Sequence, residues 1–384
     1  MTKTMKPVLA AVVAALVSGA AGAQEIKLPT ALTVTAYETG SNGFNQAVAV
    51  GGMLKKRFNT DLRVLPAGND VARLAPLKAG RAHASAMGIG TYFAQEGVLE
   101  FATREWGPQP LQLMLSASTC SGQSLGAAAN SGVKTAADLK GKRAGVVVGS
   151  PAVNQSVAAL IAFGGWTGNE VKLVEFASYG AMMKGVVNNE IDLFFASTIS
   201  GLAKEIESSP RGITWVPMPA SDKAGWDRVQ KIAPYFYPHK ASCGAGFAKG
   251  QVIETSVYPY PIFMAYGTQD ANLIYSLTSA MIRHYDEYKD SVPGVDGLEA
   301  KRQNLTWTIP YHPGAVRALA EAKVWTPEAQ KHNDGLMKRQ QVLGDAWKEF
   351  MKSNPPEDRD QFRAAWMKAR AAALTKNGMA VLFN

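Results

Sequence analysis

The order of elements that this chain repeats constrains its fold more than any other feature. LTVTAYE at 32–38 alternates like a strand, a helical run ends near Asn59, and LRVLPA at 62–67 is a second strand. VARLAPLKAG at 71–80 reads as a helix closed by Gly80, and HASAMGIG at 83–90 as a third strand. Strand, helix, strand, helix, strand implies a parallel sheet covered by helices, because parallel strands need long crossovers. LQLMLSAS at 111–118 adds a strand. STCSGQSLGAAANSG at 118–132 is almost wholly small and polar, and reads as a loop and domain boundary. The pattern then restarts. TAADLKGK gives a short helix and turn, RAGVVVG a strand, and 152–163 a helix. VKLVEFA at 171–177 and IDLFFAS at 191–197 are strands flanking the helix YGAMMKGVVNNE. A Tyr/Pro-rich region at 234–261 leads to the strand IFMAYG at 262–267 and a helix over 270–289.

Two such halves predict two α/β lobes around a cleft. Ligands of open parallel sheets sit beyond the carboxyl ends of the strands, where Gly40, Gly88, Gly90 and Gly149 fall. The stretch YETGSNGF at 37–44 also marks a helix start. Its unpaired N–H groups can meet an anion, and Gly40 and Gly43 allow close approach; the alternative is that Ser41 or Asn42 is a helix cap and nothing more.

Beyond 326 the chain is rich in Lys, Gln, Ala and Met at helical spacing, broken by Pro355 and Pro356. Leu336, Leu343, Trp347, Phe350, Phe362, Trp366 and Ala373 recur at spacings near three, four and seven. They predict two helices packed onto the lobes.

Lys3 and Lys6, the short apolar run PVLAAVVAALV and the small residues around Ala21 and Ala23 read as a secretory signal at 1–23, cut near Ala23. The expected location is the periplasm. The formal charge of +9 is spread without a basic block, which argues against nucleic acid. Cys120 and Cys243 face an oxidising compartment, either bridged or as two buried thiols. The histidines at 83, 239, 284, 312 and 332 lack metal-ligand spacing, so no metal or cofactor is expected. GQSLG at 122–126 fits a nucleophile elbow with Ser124, and His239 or His312 downstream, but AAANSG after it makes a poor helix.

The ordered motifs resemble the TAXI branch of solute-binding proteins of tripartite ATP-independent periplasmic (TRAP) transporters. They are TGSNGF at 39–44, AGNDVARLAPLKAGRAH from 67, DLKGKRAGVVVGSPAVN at 138–154, FASYGAMMKGVVNNEIDLFFAST at 176–198 and IPYHPGAVRAL at 309–319. The resemblance implies an α/β fold like type II periplasmic-binding proteins, with two lobes around a ligand cleft and a C-terminal helical extension. Lobe one would be 32–117 plus 262–310, lobe two 118–261, and the C-terminal helical region 311–384. It implies no catalysis, a monomer, and delivery of a bound solute to a TRAP-type membrane permease. The rival functions are an exported serine hydrolase and a ligand sensor for a membrane receptor.

The resemblance also places the site. Gly40, Ser41, Asn42 and Phe44 would line the cleft with Asn69 and Arg73, and Gly88 and Gly90 would form its floor. Ser150, Asn154, Ser178 and Tyr179 would close from lobe two. Phe195, Tyr258, Tyr37, Tyr92 and Tyr260 are possible aromatic walls. Arg73 would grip a carboxylate in two-point fashion, or sit on the surface. A Cys120–Cys243 bridge would lie near the hinge. Departures from the family pattern at Arg73, His83, Gly88 and the 41–44 turn favour a monocarboxylate or bulky organic acid over glutamate or a small dicarboxylate.

Overall fold

The computed structural model describes residues 24–383. The proposed signal segment at 1–23 lies outside the described residues. The first half runs β1 (Ala31–Ala36), α1 (Asn42–Phe58), β2 (Asp61–Pro66), α2 (Asp70–Lys78), β3 (Ala84–Met87), α3 (Gly90–Glu96) and β4 (Leu111–Ser116). The expected third strand stops at Met87. Gly88 and Gly90 end it, Thr91 bonds back to the Gly88 carbonyl at 2.9 Å, and α3 begins.

The second half opens with β5 (Gln123–Ala128) and β6 (Arg143–Val147), then α4 (Pro151–Phe163), β7 (Lys172–Phe176), α5 (Tyr179–Val187) and β8 (Leu193–Ser197). It continues with α6 (Gly201–Glu207), β9 (Ile213–Trp215), α7 (Lys223–Ile232), β10 (Tyr237–Ala241) and β11 (Ile253–Val257). Residues 123–128 of the segment expected to be a loop, 118–132, are therefore a buried strand. Its residues are small because neighbours crowd it: a Cβ on Gly126 would lie 2.3 Å from the Phe194 ring. Small residues chosen by packing resemble small residues chosen for a turn. The chain then forms β12 (Ile262–Tyr266), α8 (Ala271–Arg283), α9 (Pro313–Glu321), α10 (Pro327–Lys352) and α11 (Arg359–Lys376). Helix α8 is shorter than the expected 270–289; a 3-10 turn at Tyr285–Glu287 follows it.

Ten of the strands form two five-stranded sheets with the same plan, β2-β1-β3-β12-β4 and β7-β6-β8-β5-β9, and β10 and β11 pair separately as an antiparallel ribbon. In each, three parallel strands are followed by an antiparallel one, β12 or β5. The chain crosses between sheets after β4 and again before β12. The two sheets make the two α/β lobes that the repeated strand–helix order predicts. The edge strands β2 and β7 are partly exposed, while β3, β4, β5 and β8 are buried throughout. Buried strands carry continuous apolar or small runs, as both faces are covered.

Cys120, beside the first crossing, is bonded to Cys243, which follows β10; their Cα atoms are 5.6 Å apart. Nearby, Thr198 Oγ1 accepts from Gly122 N at 3.1 Å and donates to the Cys243 carbonyl at 2.8 Å. The bridge and this threonine tie together the segment through which the chain enters the second sheet.

The C-terminal helices pack as a hairpin on the first lobe. Trp366 is fully buried, and its indole N–H donates to the Gly97 carbonyl at 2.6 Å. Glu96, at the end of α3, sits between Arg370 and Arg339, with Arg339 at 2.6 and 2.7 Å in a two-point pair. Phe350 and Phe362 close the apolar layer around Trp366.

Candidate interlobe site

Helices α1, α2, α4 and α5 begin where the lobes meet, and three of these four are capped by their own N-cap side chain. Ser41 Oγ accepts from Phe44 N at 3.3 Å on α1, and Asn69 Oδ1 from Ala72 N at 2.8 Å on α2. Ser178 Oγ accepts from Ala181 N at 3.2 Å on α5. These residues satisfy orphan N–H groups, the capping alternative that the sequence left open.

Helix α4 is different, because Ser150 makes no side-chain cap of its own helix. The cap comes from the other lobe. Asp70 Oδ2 accepts from Ala152 N at 2.8 Å and from Ser150 Oγ at 3.3 Å. Its Oδ1 accepts from Tyr37 Oη at 2.9 Å and pairs with the Arg73 guanidinium. Asp70 and Arg73 are both fully buried. The guanidinium lies over the Tyr37 ring, 3.0 Å from its centroid. Its Nε and Nη1 have no hydrogen-bond partner. Arg73 is thus neither a surface residue nor a free carboxylate grip; the chain supplies one carboxylate itself.

Glu38, also from the first lobe, accepts from Gly180 N at the start of α5. Two backbone bonds join the lobes as well, Tyr179 N to the Gly68 carbonyl at 2.9 Å and Val71 N to the Gly149 carbonyl at 3.2 Å. The lobes are in contact around a cavity of about 20 Å³, room for roughly one water. Tyr37, Tyr179, Tyr258, Tyr260 and Phe195 form its aromatic walls, with Ser41, Asn42, Gln123, Val153, Ala196, Ser197 and Ser200. Asn42 Nδ2, Ser197 Oγ and Ser200 Oγ are buried there without partners. Burial raises the phenol pKa values of Tyr37, Tyr179 and Tyr258. It pushes Tyr260 up to about 12 against the opposing pull of Arg73. All four remain neutral hydrogen-bonding groups near neutral pH.

Of the residues expected to contact solute, Ser41, Asn42, Tyr179, Phe195 and Tyr258 line this cavity, and Arg73 and Ser150 stand behind it around Asp70. The others serve elsewhere. Asn154 directs both ends of its amide to the Val147 backbone, at 2.8 and 2.9 Å. Gly88 and Gly90 do not form an open floor. A Cβ on Gly88 would meet Tyr258 Oη at 3.1 Å, and one on Gly90 would lie 2.7 Å from Asp70 Cγ. Gly40 has φ +87° and packs against Leu202, while Phe44, Asn69 and Ser178 are not in the cavity wall. Tyr92 stacks edge-on against Phe383 instead. Asp70, Glu38, Gln123, Ser197 and Ser200 escaped the sequence reading. Asp70 was legible in part, as an acid three residues before an arginine on one helix.

Ser124 is not at an elbow. It lies within β5, which continues to Ala128, and its hydroxyl bonds Thr255 Oγ1 at 2.6 Å rather than a histidine. A nucleophile elbow needs a sharp turn directly after the serine. His312 uses Nδ1 to accept from Gly314 N at 3.1 Å, capping α9. His83 Nδ1 accepts from Thr33 N at 3.0 Å, a structural role. Among the described residues, no group of three or more His, Cys, Asp or Glu side chains could hold a metal ion.

A family profile described as the NMT1-like family matches residues 75–322, which span both lobes. The chain belongs to the NMT1-like family. No curated protein matches it by sequence. Among solved structures, this NMT1-like chain is similar to a protein from Bordetella bronchiseptica RB50, at 16% identity, covering 80% of this chain and 98% of that one with a TM-score of 0.45. It is similar to an ancestral arginine-binding protein bound to arginine, at 14% identity, covering 70% and 100% with a TM-score of 0.43. It is also similar to the periplasmic aliphatic sulphonate binding protein of Escherichia coli, at 13% identity, covering 92% and 90% with a TM-score of 0.40. The last two are solute-binding proteins by description.

Proposed function

We propose that this chain is an exported solute-binding protein that captures a small organic acid between its lobes and delivers it to a TRAP-type membrane permease. The donor balance of the cavity carries the acid assignment. Asp70 already receives hydrogen bonds from Tyr37, Ser150 and Ala152 as well as its ion pair. Asn42 Nδ2, Ser197 Oγ and Ser200 Oγ are buried without partners, as are two nitrogens of Arg73. Buried donors left unpaired cost free energy, so a solute rich in acceptors relieves the site. The aromatic walls suit an apolar body attached to the acid group. Closure on the solute would present one surface, formed by both lobes, to the permease. The permease type rests on the TAXI resemblance, and the periplasmic location on the signal-like N-terminus and the family.

Isothermal titration of the purified protein tests the acid assignment. The expected result is saturable binding of one organic acid per chain. Binding of amines or sugars, with no heat from any acid, would overturn it.

A further inference from the structure

We infer that Asp70 is a specificity-determining residue: its carboxylate occupies the N-terminus of α4 in the place of a solute acid group, so the site takes solutes with one carboxylate and rejects dicarboxylates. The inference rests on the organic-acid reading above. Helix α4 has 13 residues and no side-chain cap of its own. A helix N-terminus of this kind favours an anion. Here the anion comes from the opposite lobe, through the 2.8 Å bond from Ala152 N and the 3.3 Å bond from Ser150 Oγ. The position is built for Asp70, since only a residue without a side chain at 90 clears its carboxylate. The N-terminus of α5 on that lobe is likewise taken, because Gly180 N donates to Glu38.

What remains for a solute is one set of donors, Asn42 Nδ2, Ser197 Oγ and Ser200 Oγ, beside aromatic rings. These suit a single acid group. A second acid group would be buried close to Asp70, which stands behind the Tyr37 wall of the cavity and already engages the Arg73 guanidinium. Like charges in a buried site repel, and an unpaired buried charge is costly.

Titration calorimetry with chain-matched acids tests this: butyrate against succinate, hexanoate against adipate, phenylacetate against 4-carboxyphenylacetate. In the wild-type protein the monocarboxylate of any pair that binds should bind at least about tenfold more tightly. Asp70→Asn keeps the side-chain shape and removes the charge, so the preference should shrink or reverse. Equal binding of both members by the wild-type protein overturns the role of Asp70 and leaves the organic-acid reading standing. So does an unchanged preference in a folded Asp70→Asn protein. Binding of neither member of any pair overturns both. The wild-type comparison needs no variant, so it decides even where Asp70→Asn does not fold.

Discussion

Asp70 of α2 accepts a hydrogen bond from the backbone N–H of Ala152 on α4 at 2.8 Å, across the boundary between the lobes. A carboxylate belonging to the chain thus joins the two lobes. Opening of the cleft must break this bond and strip Asp70 of two of its donors. Small-angle X-ray scattering should therefore find solute-free Asp70→Asn protein more expanded than solute-free wild type. Identical profiles would show that this bond does not bias the lobes toward contact.

The Asp70–Arg73 pair is fully buried, and its members cannot be removed singly without cost. Arg73→Ala leaves the carboxylate without its cation, so it should destabilise the fold by about 3–5 kcal/mol. Urea unfolding monitored by tryptophan fluorescence measures this. A loss under about 1 kcal/mol would mean that Asp70 is well solvated after the change.

Ser197 and Ser200 behave oppositely. Their hydroxyls are buried without partners, so removing them sacrifices no protein hydrogen bond. Ser197→Ala and Ser200→Ala should leave stability unchanged or raised. Each should weaken solute binding by about 0.5–1.5 kcal/mol, the net worth of one hydrogen bond. Paired unfolding and titration experiments check the two halves of this expectation.

Asp192 supplies a pH prediction. Side-chain hydrogen bonds from Arg143 hold its pKa well below the ordinary carboxylate range, with further help from Arg211. A carboxylate depressed in the folded state stabilises fully above its unfolded pKa, about 3.9. That contribution is lost as pH falls below this value toward the folded pKa. Stability of the wild type should drop between about pH 5 and pH 2 by more than that of Asp192→Asn. Parallel losses in the two proteins would place the acid sensitivity elsewhere.

Much of the fold was legible because its elements obey simple periodicities, and the repeated strand–helix order survives as two sheets of one plan. The failures have packing causes. β5 reads as a loop because Gly126 must clear Phe194. The strands β10 and β11, inside the Tyr/Pro-rich region, pair through backbone bonds that this composition conceals. At the site, the sequence pointed to Ser41 and Asn42 through helix-start chemistry. It placed Asp70 three residues before Arg73 on one helix but could not show that both are buried, because that depends on where α2 meets α4. Ser197, the last residue of β8, and Ser200 just beyond it were invisible because isolated serines at a strand end carry no pattern.

Native mass spectrometry of the protein as purified tests the central claim most directly. The account predicts one small molecule per chain, identified as an organic acid after release, with occupancy reduced in Ser197→Ala/Ser200→Ala protein. A retained amine or sugar, or an acid held equally by the doubly substituted protein, would contradict it.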